Sequence, residues 1–242
     1  MTLTDALLGP YRSGAAAARP LFTHYDDATG ERVELSGTTT ANWAAKAANL
    51  LRDECDVEPG TPVAVLLPAH WQTAAVLLAA WWCGAEIVEP GAAEWVLCDG
   101  GRVDRALAAR PLGVVALSLD AFGKGLPGLP AGVVDFGPEV RLHGDDFAPD
   151  PVPDTAPALP GRTVAAALAD ARARAAALGI GPGDRVLSTR EWGTPEGVTA
   201  DGVTDGLLAV LAAGASLVQC RHADAAALER RAVTERTTVR LG

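Results

Sequence analysis

The chain has 242 residues, of which 49% are hydrophobic and 21% are charged, and its formal net charge is −10 at pH 7. This length and composition allow a sizeable hydrophobic core, in one large domain or two small ones. The acidic balance argues against a nucleic-acid-binding surface and against an anionic membrane partner. No apolar segment is long enough to span a bilayer, and the first residues do not form a secretory signal. We therefore expect a cytoplasmic protein.

The first elements precede residue 56. The turn-forming sequence Asp26–Gly30 lies between an extended segment, Arg19–Tyr25, and a returning strand, Glu31–Leu35, and this order predicts a β-hairpin. Ala41–Cys55 is rich in alanine and contains neither proline nor glycine, which predicts a helix. We expect one of the threonines at 38–40 to be its N-cap.

Residues 59–90 predict a strand, a helix and a second strand. Val63–Leu67 is a short run with β-branched residues, as in a buried strand. His70–Cys83 is apolar over a wide helical arc, and Gly84 stands where a helix C-cap belongs. Ile87 and Val88 begin the next strand. Because the links between them are short, these elements predict a βαβ unit in a parallel sheet.

The segment up to residue 158 continues this pattern and then loses it. Trp95–Cys98 and Val114–Leu119 are predicted strands on either side of a short helix at Val103–Ala109. Phe122–Gly132 is rich in glycine and predicts a loop. Phe136–Ala158 holds five prolines and predicts an irregular connection.

The second half repeats the order of the first. Val164–Leu178 is an alanine-rich helix, and Pro182–Cys220 then reads as Pro-Gly, strand, helix, Gly-Ala and strand, followed by a last helix at Ala223–Glu235. We predict an α/β fold with mostly parallel sheets flanked by helices, built from two related α-β-α-β modules. In this division, residues 1–242 are a single domain with module one at about 36–135, the irregular connection at about 136–160, and module two at about 161–242.

Common catalytic motifs are absent from the sequence. Gly123-Lys124-Gly125 lacks the spacing of a phosphate-binding P-loop, and no HExxH zinc motif, paired CxxC or dinucleotide fingerprint occurs. We therefore assign no catalytic residue and no metal ligand. Gly193–Val198 reads like a glycine-bearing phosphate loop, but its Glu196 would repel a phosphate. A plain loop between a strand and a helix explains this stretch better.

Several short motifs carry a resemblance to a known family. In order, they are Pro59–Val63, Leu67–Ala69 and Gly84–Pro90 in the first module, and Gly183–Leu187 and Leu207–Val218 in the second. In this order the chain resembles the N-terminal part of the adenylate-forming enzymes, also called AMP-binding enzymes or acyl-CoA synthetases. The resemblance covers nearly the whole chain, but the matched motifs are structural ones. The chain also resembles a group of short bacterial proteins that are related to these enzymes.

The chain departs from that family where the chemistry takes place. The family holds the ATP phosphates on a Ser/Thr/Gly-rich loop ending in Pro-Lys, just before the second alanine-rich helix. Here Thr155–Thr163 reads TAPALPGRT, and Arg162 is the only nearby cation. The family's aromatic or histidine position at the acyl pocket falls within Ser188–Thr194, where Trp192 is the only aromatic residue. The family's adenine, ribose, hinge and C-terminal lysine motifs find no counterpart in this sequence.

The resemblance and these departures together predict the fold without the reaction. We expect a non-catalytic protein with no cofactor that acts as an interaction or oligomeric binding protein, through a second copy or a protein partner that covers an apolar face. One alternative is a small-molecule binder for ATP, AMP or an acyl/CoA group. Its pocket would hold Arg162, Arg190, Glu191 and Trp192 near the carboxyl ends of the strands. Another is half of a split acyl-adenylating ligase. An enzyme of other chemistry has no positive support.

Overall fold

The computed structural model describes residues 1–242. The helices are α1 (Leu3–Leu8), α2 (Gly14–Ala17), α3 (Gly37–Cys55), α4 (Trp71–Cys83), α5 (Val103–Ala108), α6 (Phe136–Val140), α7 (Val164–Ala177), α8 (Ala200–Val203), α9 (Ala209–Ala212) and α10 (Ala225–Thr234). A π-helical turn, Thr204–Leu208, joins α8 to α9. The strands are β1 (Pro20–Asp26), β2 (Glu31–Ser36), β3 (Pro62–Leu66), β4 (Glu86–Ile87), β5 (Trp95–Asp99), β6 (Gly113–Leu117), β7 (Val133–Asp135), β8 (Pro157–Leu159), β9 (Arg162–Thr163), β10 (Arg185–Ser188), β11 (Gly193–Thr194), β12 (Gly197–Val198), β13 (Ser216–Arg221) and β14 (Val239–Leu241).

Two five-stranded sheets organise these elements. The parallel sheet has the order β4-β3-β5-β6-β7, and all its neighbours run in the same direction. The mixed sheet has the order β14-β10-β13-β1-β2, in which only β2 is antiparallel. The predicted hairpin of β1 and β2 is therefore the edge of the mixed sheet. The α/β class with mostly parallel sheets is confirmed.

The alternation of side chains along the strands produces five layers. On β3, Val63 and Val65 belong to the main core with the helices between the sheets, whereas Ala64 and Leu66 pack in a separate cluster under α5. The outer face of the mixed sheet packs likewise against Leu228 of α10. Since both faces of the parallel sheet are covered, its inner strands β3, β5 and β6 are mainly apolar, as parallel strands generally are. The order of layers is α10, mixed sheet, central helices, parallel sheet and α5.

The two modules have equivalent strand connections. In each, the strand after Pro-Gly lies between the strand that follows Gly-Ala and the next strand of the chain: β4-β3-β5 in one module and β13-β10-β14 in the other. Three backbone hydrogen bonds of 2.9–3.0 Å recur at matching places: Gly60 N to Gly84 O and Gly183 N to Gly214 O; Glu86 N to Thr61 O and Ser216 N to Asp184 O; Glu94 N to Pro62 O and Thr238 N to Arg185 O. The repeated sequence pattern therefore corresponds to a repeated backbone arrangement.

Helix α4 is the centre of the core, since all of its residues are buried. It ends as predicted at Gly84, which adopts a left-handed conformation with φ of 80°. The predicted threonine cap of α3 is wrong, because Ser36 caps that helix by accepting a hydrogen bond from the Thr39 amide.

The region predicted to be irregular contains helix α6 at residues 136–140, directly after β7. Pro138 is compatible with α6 because it stands in the first turn, where an amide hydrogen is not needed. Asp135 caps this helix. No helix of the protein is both long and apolar enough to cross a membrane.

Candidate functional site

The segment that corresponds by resemblance to the ATP phosphate loop is a tight hairpin. Leu159 at the end of β8 pairs with Arg162 at the start of β9, so that only Pro160 and Gly161 form the turn. Gly161 has φ of 71°, as the third residue of a type II turn requires. Thr163 immediately caps α7 by accepting a hydrogen bond from the Ala166 amide. No run of loop amides is therefore left free to surround a phosphate.

Arg162 is held by two carboxylates. Its Nε donates to Asp170 at 2.8 Å, and its Nη2 donates to Asp201 at 2.6 Å. The bond to Asp201 is the main cause that raises the pKa of Arg162 above its usual value. The positive charge of the guanidinium is thus already compensated by two carboxylates of the protein.

Arg190 lies in the same charge network. Its Nη1 donates to Asp205 at 3.0 Å, and Arg174 donates to the same carboxylate from α7. An open cleft of about 560 Å³ runs along this network, lined by Arg162, Asp170, Ala173, Arg174, Ala177, Asp201, Thr204 and Asp205. Arg162 lines this cleft and Arg190 does not, and each is already bonded to acidic neighbours. Whether they bind a ligand stays a prediction.

The side chains of Glu191 and Trp192 do not line the cleft that contains Arg162. Trp192 is completely buried, and its ring meets Phe22 edge to face with centroids 6.0 Å apart. Gly206 lies directly against it, since a Cβ atom there would be 2.3 Å from Cδ1 of Trp192. The indole therefore occupies core space and lines neither this cleft nor the one described next. Glu191 is exposed, and its Oε2 accepts a hydrogen bond from the Ala69 amide at 3.3 Å.

Glu191 belongs to a second cleft, between the two sheets, which we call the inter-sheet cleft. It has a volume of about 240 Å³ and is lined by Leu67, Pro68, Arg102, Glu191, Gly193, Thr194, Pro195 and Arg221. These residues follow or end strands β3, β5, β10 and β13. The cleft thus lies at the carboxyl ends of parallel strands from both sheets, the usual place for ligands in open α/β sheets. Sequence reasoning found Glu191 but missed Arg102 and Arg221.

Strands β11 and β12 form one wall of the inter-sheet cleft. They are a short hairpin, which replaces the plain loop expected at residues 193–198. Gly197 approaches β3 so closely that a Cβ atom there would be 2.9 Å from the Val65 carbonyl oxygen. Glu196 pairs with Arg105 of α5 at 3.5 Å. The hairpin therefore fixes module two against module one at the edge of the cleft.

A buried polar group lies behind Arg221. His24 on β1 and His70 at the start of α4 are at most 1% exposed, and both nitrogens of His24 and Nε2 of His70 have no hydrogen-bond partner. Gln72 and Gln219 are also buried, each with an unpartnered side-chain oxygen. Burial and the nearby Arg221 both lower the histidine pKa values, to about 4 for His24. The imidazoles are therefore neutral at pH 7.

The protein has no group of three or more His, Cys, Asp or Glu side chains placed to hold a metal ion. Its four cysteines are all buried and unpaired with one another. Burial raises the pKa of Cys55, Cys83 and Cys98 to about 12, so these thiols are not nucleophiles at neutral pH.

A protein of Mycobacterium tuberculosis described as "TIGR03089 family protein" is 51% identical over 243 residues, which cover 98% of this chain and 97% of that protein. The chain belongs to the TIGR03089 family. No protein-family model matches it.

Solved structures similar to this TIGR03089 family chain are acyl-CoA ligases. An acyl-CoA synthetase of Brucella canis superposes with a TM-score of 0.78 at 18% identity, over 99% of this chain and 47% of that one. A benzoate CoA ligase from Burkholderia xenovorans gives 0.71 at 18%, over 100% and 50%. The acetoacetyl-CoA synthetase of Streptomyces lividans gives 0.72 at 18%, over 98% and 41%. The chain thus spans about half the length of these ligases and shares the fold of that half, which confirms the resemblance to the N-terminal part of adenylate-forming enzymes.

Proposed function

We propose that this TIGR03089 family chain uses the fold of the N-terminal part of acyl-CoA ligases without adenylating a carboxylate, and that it acts as a binding protein. The observation that carries the proposal is the two-residue turn Pro160-Gly161 between β8 and β9. Adenylation needs loop amides and a cation around the phosphates of ATP, because charge stabilisation there provides most of the catalysis. A two-residue turn cannot form that cradle.

The charges near the turn support the same conclusion. A phosphate that approached Arg162 would have to displace Asp170 or Asp201, both of which already bond to its guanidinium. It would also meet the repulsion of those carboxylates and of Asp205. The cleft beside β9 is therefore a poor site for a polyanion such as ATP.

The space near the acyl-pocket position is filled as well. The indole of Trp192 packs against Phe22 and Gly206 with no exposed surface. An acyl group could enter there only if this ring moved out of the core, which would cost several kcal/mol of buried apolar contact.

The test is carboxylate-dependent exchange of labelled pyrophosphate into ATP, with a panel of aliphatic and aromatic acids and Mg²⁺. We expect no exchange above the protein-free rate, while a complete acyl-CoA ligase measured in parallel exchanges. We also expect MgATP to leave the melting temperature unchanged, since binding at 100 Kd would stabilise the fold by about 2.7 kcal/mol. Exchange that depends on an added acid would overturn the proposal. Exchange that appears only when cell extract is added would favour the split-ligase alternative.

Protein association is a second form of binding, favoured by one exposed apolar pair. Phe122 is 74% exposed and Leu142 is 79% exposed, and the side chain of Arg141 donates to the Phe122 carbonyl, which brings the two residues near each other. Exposed apolar groups of this kind are common at interaction sites. Light scattering tests this candidate: self-association that the double variant Phe122→Ser/Leu142→Ser abolishes would support it. A wild-type monomer would count against the homo-oligomer.

A further inference from the structure

The guanidinium of Arg221 is an unusual group in this protein, because it is largely enclosed and yet donates no hydrogen bond. Its Nε is buried without a partner, and its side chain is only 18% exposed. The sole carboxylate at ion-pair distance is that of Asp26, 3.5 Å from Nη1. Buried donors without acceptors cost free energy, which an acceptor that reaches them would recover.

Asp26 compensates Arg221 only partly, because its Oδ2 lies 3.5 Å from Nη1 without forming a hydrogen bond and its Oδ1 has other partners. Oδ1 lies 2.7 Å from Nδ1 of His222 and accepts from the Ala28 amide at 2.9 Å. The neutral imidazoles of His24 and His70 add no negative charge behind Arg221. Arg221 lines the inter-sheet cleft, and the exposed part of its side chain is open there to an acceptor from outside the protein.

The remaining walls of the inter-sheet cleft suit a small ligand with one charged end. Arg102 contributes a second guanidinium, whose one ion-pair partner is Asp99. Leu67, Pro68 and Pro195 provide apolar surface, and Thr194 provides a hydroxyl. The volume of about 240 Å³ is below the range of about 300–1,000 Å³ common for drug-sized ligands, so a whole nucleotide does not fit. Glu191 stands at this cleft too, and would disfavour a ligand of high negative charge.

We propose that the inter-sheet cleft binds a small molecule through one oxyanion, a carboxylate or a phosphate group. Arg221 binds this oxyanion, and Arg102 provides a second positive charge at the same cleft. A planar guanidinium matches such an anion in a two-point hydrogen bond. This inference deepens the proposed function, on which it rests, because it gives the binding protein a ligand class and a site. The site is distinct from the cleft beside β9, where Arg162 and Arg174 already donate hydrogen bonds to aspartates.

The experiment follows backbone amide shifts of ¹⁵N-labelled protein by NMR during titration with acetate or inorganic phosphate, at ionic strength held constant with sodium chloride. We expect saturable shifts at Gly193, Thr194 and Arg221 with at least one of the two anions. Saturation with acetate alone assigns a carboxylate ligand, and saturation with phosphate alone assigns a phosphate ligand. If neither anion gives saturable shifts there, the proposal is wrong.

Three variants locate the binding. We expect Arg221→Gln to weaken it at least tenfold and Arg102→Gln to weaken it less. Arg230→Gln removes the same charge from an exposed position on α10 and should leave binding unchanged. Equal weakening of anion binding by all three variants would mean that binding depends only on the net charge of the protein. That result would overturn the assignment of the site to Arg221. If Arg221→Gln does not fold, Arg221→Lys keeps the charge but loses the two-point geometry, and should still weaken binding. Because pyrophosphate exchange is measured separately, a cleft that binds no anion would leave the non-adenylating proposal standing.

Discussion

The rings of His24 and His70 meet edge to face with their centroids 4.2 Å apart, inside the protein. His24 belongs to β1 of the mixed sheet, and His70 caps α4 in the central helical layer by accepting a hydrogen bond from the Gln72 amide. Two imidazoles in such contact cannot both be charged without strong repulsion. The contact therefore makes the junction between the mixed sheet and the core sensitive to acid.

Acid should destabilise the protein through this pair. Burial lowers the pKa of His24 from 6.5 to about 4, which corresponds to about 3 kcal/mol. Between these pH values the unfolded chain binds a proton that native His24 does not bind, so the free energy of unfolding falls as the pH falls from 6.5 to 4. Urea unfolding at pH 7 and at pH 4.5 measures this loss.

Variants separate the pair from the other titrating groups. His24→Gln should flatten the dependence of unfolding free energy on pH across this window, whereas His143→Gln, outside the pair, should retain it. Arg221 and His222 also disfavour a charged His24, and Asp26 opposes them. An unchanged slope in His24→Gln would show that other groups cause the acid sensitivity.

The buried carboxylate of Glu235 should stabilise the mixed sheet through its hydrogen bonds and ion pairs. This carboxylate is 8% exposed and accepts hydrogen bonds from Tyr25, Arg32 and Arg185. Burial alone would raise its pKa, but these bonds outweigh burial and lower the pKa to about 2. Glu235→Gln leaves the largely buried guanidinium of Arg185 without its closest counter-ion, and should cost about 3 kcal/mol at pH 7.

The matched control for Glu235 is Glu229, an exposed carboxylate on the helix that ends just before Glu235. Glu229 pairs with Arg240 and is largely exposed, so Glu229→Gln should change the unfolding free energy much less than Glu235→Gln. The extra stability from Glu235 should be present above pH 4.5 and be lost as the pH falls toward 2. Similar losses in both variants would contradict the assigned role.

Any side chain at position 206 should destabilise the protein because it would collide with Trp192. A Cβ atom at position 206 would lie 2.3 Å from Cδ1 and 2.5 Å from Nε1 of the indole. Overpacking of a well-filled core costs about 1–3 kcal/mol. Gly206→Ala should therefore lower thermal stability and alter tryptophan fluorescence, whereas Gly9→Ala, with no atom within 4 Å, should do neither. Unchanged fluorescence in Gly206→Ala would mean that the indole is not fixed there.

The sequence predicted the repeated helices and strands because their signals are local. Apolar runs, alanine-rich segments and the glycine after α4 fix element type without reference to distant residues. Helix α6 was missed because Pro138 suggested a break, although a proline in the first turn of a helix causes none. The cap at Ser36 was missed because several neighbouring residues had equal capping ability.

The site was harder to predict than the fold. Arg162 and Arg190 bond to aspartates that come from other segments of the chain. The inter-sheet cleft depends on Arg102 and Arg221, which are far apart in sequence and carry no local motif. The one usable signal was their position at or just after the ends of buried strands, since such residues gather at one edge of a parallel sheet. That signal places a residue at the edge of the sheet. It does not show whether a neighbouring carboxylate already pairs with the charge of that residue.

The repeat provides its own matched pair of glycines. Gly84 and Gly214 both end the helix that precedes the second strand of a module, with φ of 80° and 74°. Alanine at either position has to adopt a left-handed conformation, which costs about 1–2 kcal/mol. At Gly84 a Cβ atom would also lie 2.7 Å from Cγ2 of Val152, in the connection between the modules, and 3.2 Å from Pro59. At Gly214 the nearest atoms are those of Pro182, at 3.8 Å.

Gly84→Ala should therefore destabilise the protein more than Gly214→Ala, by about 1 kcal/mol or more from the contact with Val152. The double variant Gly84→Ala/Val152→Ala removes the obstructing methyl groups and tests the cause. In a double-mutant cycle, its loss of unfolding free energy should be smaller than the sum of the two single losses. Equal losses for Gly84→Ala and Gly214→Ala would mean that Val152 yields freely, and that the connection packs only loosely against module one.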